Sequence, residues 1–124
     1  MVDLTGVLVR GTKNNREILI SPNDLNPVTT TGTISPSQTL VIDSHSILIW
    51  NSSDYILTLI AGTKRRQYNI SAVNDDGSPV DKVNKLGSNI SANINSVLNG
   101  TIFEFRVTNN EAGDIDYILT KIIH

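Results

Sequence analysis

Short apolar or alternating runs recur along this chain, and each is bounded by Gly, Pro, Asn, Asp or Ser. Because the runs are only about five to nine residues long, they favour strands over helices. In the clearest run, residues 101–108, Phe103, Phe105 and Val107 alternate with polar residues. Regularly spaced short strands are typical of a sandwich. The sequence therefore predicts an all-β, single-domain antiparallel β-sandwich of jelly-roll type over residues 1–124, with about eight or nine strands.

The composition supports this fold class. The chain holds 16 Ile and 12 Thr, and β-branched residues favour strands. It also holds 14 Asn and 12 Ser, which suit turns and neutral exposed faces. Charged residues make up 18% of the chain and the formal net charge is −2. This balance argues against a disordered chain and against a nucleic-acid binder that depends on bulk charge.

The individual strands follow from the alternation and from the turn residues between the runs. Predicted strands cover residues 4–10, 17–21, 29–34, 38–42, 46–50, 54–60, 65–73, 101–108 and 115–123. Asn74 to Gly77 is a predicted hairpin turn. The Thr-rich run that begins at Thr29 suits an exposed sheet edge. Residues 1–28 are a candidate N-terminal arm or a pair of edge strands.

Two segments do not fit the strand pattern cleanly. Ser78 can cap a helix, Pro79 fits its first position and Gly87 can close it, so at most one short helix is predicted near residues 79–86. Residues 88–98 match both a helical stripe and an alternating strand. Three Asn residues in that segment weaken the helix, so a strand or irregular structure is favoured.

Residues 46–50 and 54–60 carry apolar side chains on both faces. Strands of that kind are usually buried between layers or between subunits. The N-terminal strand precedes a Pro-containing linker, so it either completes the sheet of a neighbouring copy or pairs within its own sheet. The residues predicted to form an assembly interface are Leu4, Val7, Val9, Ile47, Ile49, Trp50 and Ile56.

One basic run lies directly after the most apolar strand, and aromatic residues flank it. Basic and aromatic side chains together can bind an acidic glycan or a receptor, although a solvated strand edge and ordinary core packing explain the same residues. The residues of this alternative binding site are Trp50, Tyr55, Lys64, Arg65, Arg66 and Tyr68.

No motif for catalysis, a metal or a cofactor occurs in the sequence. The chain has no Cys, and its two histidines, His45 and His124, have no partner at a recognisable spacing. His45 is therefore expected in a loop, and the chain is not expected to be an enzyme. The N-terminus lacks the basic and apolar segments of a secretory leader. The sequence thus predicts synthesis in the cytoplasm without a signal peptide.

The Thr/Gly segment Thr29–Thr33, the strand 39–42 and the segment Ser46–Asp54 with its following alternating strand resemble the subunits of Bacillus-type endospore appendages. The similarity covers about a third of the chain. It implies a jelly-roll subunit that stacks into fibres, with an N-terminal arm that reaches a neighbour. Cysteines cross-link the arms in that family, so a chain without Cys is expected to assemble without covalent links.

These observations predict a non-enzymatic, self-assembling structural subunit of an extracellular assembly. That assembly is a spore appendage or fibre, or a phage virion decoration or tail component, and its final location is the spore or virion surface. The expected partners are further copies of the chain and a capsid or spore-coat protein, with no membrane and no nucleic acid. The alternative is a carbohydrate- or receptor-binding β-sandwich module, whose partner would be a glycan.

Overall fold

The computed structural model of this protein describes residues 27–124. These residues form eight antiparallel strands: Val28–Ile34 (β1), Thr39–Ser46 (β2), Ser52–Ala61 (β3), Lys64–Asp75 (β4), Ser78–Gly87 (β5), Ala92–Asn99 (β6), Ile102–Asn109 (β7) and Ile115–Ile123 (β8). The predicted all-β sandwich is confirmed, and the strands predicted at residues 4–10 and 17–21 lie outside the described residues. Residues 27–124 contain no helix of the length and apolar character needed to span a membrane.

The eight strands form two sheets that pack face to face. One has five strands in the order β1-β8-β3-β4-β5, and the other has three in the order β2-β7-β6. The first and last of these strands pair, and side chains of β3 and β8 contact Asp43 of β2 between the sheets. Strands β4 and β5 then extend the five-stranded sheet as a meander. One lateral side of the sandwich is therefore bordered by β1 and β2, and the other by β5 and β6.

The core lies between the sheets and is built from alternating inward residues. Phe103, Phe105 and Val107 of β7 are fully buried, as their alternation predicts. The Trp50 ring stacks on Phe103 with 4.3 Å between centroids, and the Tyr55 ring stacks on Phe105 at 4.7 Å. Aromatic pairs at these distances contribute packing beyond the area that they bury. The centre of β7 therefore anchors both sheets.

The strand predicted over residues 46–50 is wrong, because β2 ends at Ser46 and the chain turns there. The backbone N–H groups of Ile49 and Trp50 both donate to the Ser46 carbonyl, at 3.2 and 2.9 Å. The Asn74 side-chain amide donates to the carbonyls of Ile47 and Trp50, at 2.9 Å each. These bonds satisfy backbone groups that a strand would have paired with a neighbouring strand.

The same turn explains why the run is so apolar. Ile47 and Trp50 point into the core, and their exposed fractions are 9% and 3%. Leu48 and Ile49 point to solvent and are 78% and 82% exposed. The apolar run thus consists of two core residues and two surface residues. Its side chains do not form the two faces of one strand.

The segment near residues 79–86 forms strand β5 and not a helix. Ser78–Gly87 pairs with β4 along its whole length, from Asp75 opposite Ser78 to Arg66 opposite Gly87. Helix-capping signals cannot compensate for a helix of only two turns, which is marginal in water. The turn before β5 has the predicted hairpin form, since Asp76 and Gly77 both have positive φ angles of 53° and 85°.

The segment over residues 88–98, which matched two patterns, contains a loop followed by β6. Strand β6 pairs with β7 from Ala92 opposite Asn109 to Asn99 opposite Ile102. The favoured strand is therefore found, and it begins four residues into the segment.

Candidate functional site

The two lateral sides of the sandwich offer different surfaces. The side bordered by β1 and β2, here called the closed side, has a filled interior and one uncharged edge strand. The side bordered by β5 and β6, here called the open side, has a polar groove between the two sheets.

Strand β1 is an edge strand without the features that usually prevent further pairing. Its sequence, Val-Thr-Thr-Thr-Gly-Thr-Ile, contains no charge and no Pro, and its ladder with β8 runs without a bulge. Its first four residues are exposed. Its outer backbone groups have no strand partner among residues 27–124. An uncharged, regular edge of this kind can accept another strand.

Gly32 explains how this edge keeps its register. It lies opposite Tyr117 of β8, and a Cβ atom at Gly32 would lie only 2.6 Å from the Tyr117 ring. The ring therefore covers the backbone of β1 at the one position that lacks a side chain. Such cover by an aromatic side chain stabilises a glycine in an edge strand.

Two of the other three edges are protected. Strand β5 carries Pro79, Asp81, Lys82 and Lys85, and charges and Pro both oppose pairing with a further strand. Strand β2 has a bulge between Val41 and Asp43 where its register with β7 shifts. Strand β6 is uncharged, but it borders the groove of the open side.

The groove has a volume of about 460 Å³ and lies between β4–β5 and β6. Its apolar and aromatic wall comes from inward positions of the strands, and Asn and Ser side chains surround that wall. It is lined by Arg66, Tyr68, Val83, Lys85, Asn89, Ile90, Ser91, Ala92, Asn93, Ile94, Asn95 and Asn110. This size and this mixture of surfaces fit a small ligand.

Arg66 is the most constrained polar side chain of the groove. Its Nη1 donates to the Ser88 carbonyl at 3.2 Å and to Asn89 Oδ1 at 3.1 Å. Its guanidinium carbon lies 5.8 Å from the centroid of the Tyr68 ring. Its Nε is buried and has no hydrogen-bond partner among residues 27–124. A buried donor without an acceptor costs roughly 1–3 kcal/mol, so this position of Arg66 lowers the stability of the fold.

The groove contains two cations and no carboxylate among its lining residues. Glu111 lies close by, where its carboxylate accepts the Ser91 backbone N–H at 2.6 Å and pairs with Lys64 at 3.3 Å. The bond from Ser91 and then that from Lys64 lower the pKa of Glu111, so it stays ionised and its charge is matched by Lys64. Arg66 and Lys85 thus give the groove a local excess of positive charge.

The interior of the closed side holds a buried carboxylate whose partners come from both sheets. Asp43 Oδ2 accepts the Tyr55 hydroxyl at 2.7 Å and lies 2.8 Å from His45 Nε2. Asp43 Oδ1 pairs with the Lys121 ammonium. The carboxylate therefore has donors at both oxygens, and this network joins β2 to β3 and β8.

The pKa values follow from these contacts. Burial alone would raise the pKa of Asp43, but the hydrogen bonds from His45, Lys121 and Tyr55 together lower it to about 2. Burial and the bond to Asp43 raise the pKa of Tyr55 far above its usual range. Asp43 is thus an ionised acceptor and Tyr55 a protonated donor at neutral pH. A network fixed in this way stabilises the fold and offers no free acid or base.

The residues predicted for an assembly interface divide into three groups. Leu4, Val7 and Val9 lie outside the described residues. Ile47 and Trp50 belong to the core, so a partner cannot reach them in the folded sandwich. Ile49 and Ile56 are 82% and 48% exposed and remain available to a partner.

The predicted aromatic platform for a glycan is wrong, but its basic part is informative. Trp50 and Tyr55 are buried in the core, and the Trp50 indole N–H donates to Ser53 Oγ at 2.8 Å. Tyr68 is also buried but lines the groove beside Arg66. These last two residues are the part of the predicted site that the fold brings together.

The remaining basic residues have other contacts. Lys64 pairs with Glu111, and Arg65 donates to the carbonyls of Gly62 and Lys64 at 2.9 and 3.2 Å. His45, expected in a loop, lies in β2 next to the buried Asp43. Of the predicted binding residues, Lys64 and Arg65 therefore do not line the groove.

Sequence reasoning missed Lys85 and the Asn residues of the groove. Lys85 lies opposite Tyr68 in the β4–β5 ladder and so shares its inward face. The high Asn content was assigned to turns, whereas Asn89, Asn93, Asn95 and Asn110 surround one cavity. The only available signal was that three of these four lie within seven residues of sequence.

Comparison with known proteins leaves the family of this chain open. No family model and no curated protein matches it. One solved structure that the comparison matches is the tailspike protein of Acinetobacter phage vB_ApiP_P1, at 9% sequence identity and a TM-score of 0.43. The match covers 87% of this chain and 23% of the tailspike chain. The resemblance to endospore appendages therefore stays a prediction from the sequence.

Proposed function

We propose that this chain is a non-enzymatic structural subunit that self-associates when a second copy adds a strand to the edge of β1. The assembly is proposed to be extracellular, on a spore or virion surface. The observation that carries the proposal is the contrast between the edges of the five-stranded sheet: β1 has no charge, Pro or bulge, whereas β5 has Pro79 and three charged residues. A sheet that protects one edge and leaves the other regular is suited to directional pairing.

The backbone of β1 supplies the attraction. A strand added along its seven residues would form about six main-chain hydrogen bonds, each worth about 1 kcal/mol net. Thr side chains on the outer face of the sheet add cross-strand hydrogen bonds to those of the main chain, since Thr29 Oγ1 lies 3.1 Å from Thr120 Oγ1. An added strand would continue the same pattern beyond β1.

The proposed donor is the segment 4–10 of another copy, which lies outside the described residues. Its sequence, Leu-Thr-Gly-Val-Leu-Val-Arg, contains one charge and no Pro. The 17 residues from 11 to 27 connect it to β1, and a fully extended linker of that length spans at most about 60 Å. Such a linker can place the segment on a neighbouring molecule.

Substitutions at two exposed positions distinguish strand pairing at β1 from non-specific association. Thr31→Lys places a charge on the outer face of β1, opposite Ile118. Asn84→Lys places the same charge on the outer face of β5, opposite Asn69. Both residues are exposed, so neither change should alter the fold by more than about 0.5 kcal/mol.

The measurement is sedimentation velocity of the full chain over a range of concentrations. We expect the parent and Asn84→Lys to associate alike, and Thr31→Lys to stay monomeric at concentrations at least tenfold higher. Deletion of residues 1–12 should reproduce the effect of Thr31→Lys. A parent chain that is monomeric throughout, or equal association of both Lys variants, would overturn the proposal.

A further inference from the structure

We propose that the groove of the open side binds an acidic saccharide, a sugar ring that carries a carboxylate. This inference does not depend on self-association, because the groove lies on the side opposite β1. It rests on three features of the groove: its charge, its amide-rich surround and the geometry of Arg66.

The charge of the groove selects for an anion. Arg66 and Lys85 line it, and no Asp or Glu does. In the rest of residues 27–124, Lys64, Arg106 and Lys121 pair with the carboxylates of Glu111, Glu104 and Asp43. Arg65 and Lys82 also have no carboxylate partner among residues 27–124, but they do not line the groove. The chain as a whole has a formal net charge of −2, so the positive charge of the groove is local.

Arg66 is held in a form that suits a carboxylate. Its Nη1 is fixed by Ser88 and Asn89, its Nε is buried, and its Nη2 has no hydrogen bond to any residue between 27 and 124. The Nη2 group keeps N–H donors for a charge-assisted hydrogen bond to a carboxylate oxygen. Because the guanidinium is already fixed, little side-chain freedom is lost when an anion binds.

The rest of the groove suits a sugar more than a simple anion. The side chains of Asn89, Asn93, Asn95 and Asn110 each offer a donor and an acceptor, which is what hydroxyl groups require. Tyr68, although buried, forms part of the wall. A volume of about 460 Å³ accommodates one or two sugar rings. An inorganic anion would leave most of these groups unused.

The test uses matched probes. Trimers of glucuronate, galacturonate and mannuronate differ from the trimers of glucose, galactose and mannose only in the carboxylate at C6. We expect at least one uronate trimer to bind at least tenfold more tightly than its neutral counterpart in NMR titrations. The Arg66 Nε–H and the side-chain amides of the groove should shift on binding. Binding should weaken as NaCl is raised.

Three variants distinguish binding in the groove from non-specific attraction to the positive charge of the surface. Arg66→Gln and Lys85→Gln should each weaken binding at least fivefold, and Lys85 is exposed, so its variant tests the site even if Arg66→Gln unfolds. Lys82→Gln is the control, because Lys82 lies on the same strand but pairs with Ser71 on the outer face. It should bind like the parent chain.

Four results would overturn the inference. They are no binding of any uronate trimer below 10 mM, equal binding of neutral and acidic trimers, an equal loss in Lys82→Gln, and tighter binding of a single-stranded oligonucleotide in the same groove. The last result would identify a nucleic acid as the ligand.

Discussion

The two lateral sides of the sandwich differ in whether their charged side chains have partners. On the closed side, the Asp43 carboxylate has donors from three side chains, so the interior has nothing left to offer a ligand. On the open side, Arg66 and Lys85 have no carboxylate partner among residues 27–124, and both line the groove. Saturated polar groups stabilise a fold, whereas unpaired charges that line a groove are available for binding.

The edges show the reverse pattern. The closed side presents the uncharged strand β1, and the open side presents the charged strand β5. One side is therefore suited to a backbone partner and the other to a small polar ligand. The contrast depends on a small number of residues, and substitution of those residues can break it.

The largest expected effect is on the buried network. Asp43→Asn removes the charge that compensates the Lys121 ammonium, whose side chain is only 19% exposed. An uncompensated buried charge costs about 3 kcal/mol, so the free energy of unfolding in urea should fall by that amount. Asp114→Asn, in an exposed loop, is the matched control and should change it by less than about 0.5 kcal/mol. A loss below 1 kcal/mol in Asp43→Asn would show that the closed side is not held by this charge.

The pH dependence sharpens the same point. The pKa of Asp43 in the folded protein is about 2, below the ordinary value of 3.8, so the folded state favours the ionised form. Its contribution to stability, about 2 kcal/mol, is complete above about pH 5 and is lost as the pH falls toward 2.

Other carboxylates titrate in the same range, so the quantity to measure is the stability difference between the parent and Asp43→Asn. That difference in the free energy of unfolding should shrink by about 2 kcal/mol between pH 6 and pH 2. A stability difference that stays constant over this range would mean that the contacts of Asp43 do not lower its pKa in the folded protein.

A smaller effect is expected at Gly32. A Cβ atom there would displace the Tyr117 ring, so Gly32→Ala should lower the free energy of unfolding by about 1 kcal/mol. Gly113→Ala is the control, because nothing lies within 4 Å of its Cβ position. In a Tyr117→Ala background the Gly32→Ala cost should disappear. If it persists there, the ring is not what fixes β1.

The smallest effect is expected at the exposed turn. Leu48 is 78% exposed, so Leu48→Ser should change the free energy of unfolding by less than about 0.5 kcal/mol. Ile47→Ser at the buried neighbouring position should cost at least 2 kcal/mol, since a buried apolar side chain is lost and a hydroxyl is buried. Equal costs at the two positions would show that this run is not divided between core and surface.

The sequence predicted the strands that have one clear inward face. Residues 115–123 were predicted with the bounds that β8 has, and the inward residues of β7 were identified from their alternation. The strand predicted over residues 46–50 is wrong because the apolar pattern of that run fits a strand and a turn equally well. The side chain of Asn74, 24 residues from Trp50, decides in favour of the turn.

The sites were less predictable for the same reason. Asp43 and Lys121 are 78 residues apart, so no local spacing links them. Arg66 and Tyr68 are two residues apart on one strand and were predicted together. Lys85 and the Asn residues of the groove come close to Arg66 and Tyr68 only because β5 pairs with β4 and β6 packs beside β5.

The central claim is that residues 4–10 of one copy pair with β1 of another, and cysteine trapping tests it directly. The chain has no Cys, so single cysteines can be introduced without competition. Copies with Cys at Leu4, Val7 or Val9 are each mixed with a copy of different size that carries Thr31→Cys. Asn84→Cys replaces Thr31→Cys in the control.

After mild oxidation, at least one of the three positions should form a mixed-size disulfide with Thr31→Cys and much less with Asn84→Cys. The two cysteines lie on different chains, so pairing of the segment within its own chain yields no such product. Absence of the mixed product at all three positions, or equal yields with the control, would contradict strand exchange at β1.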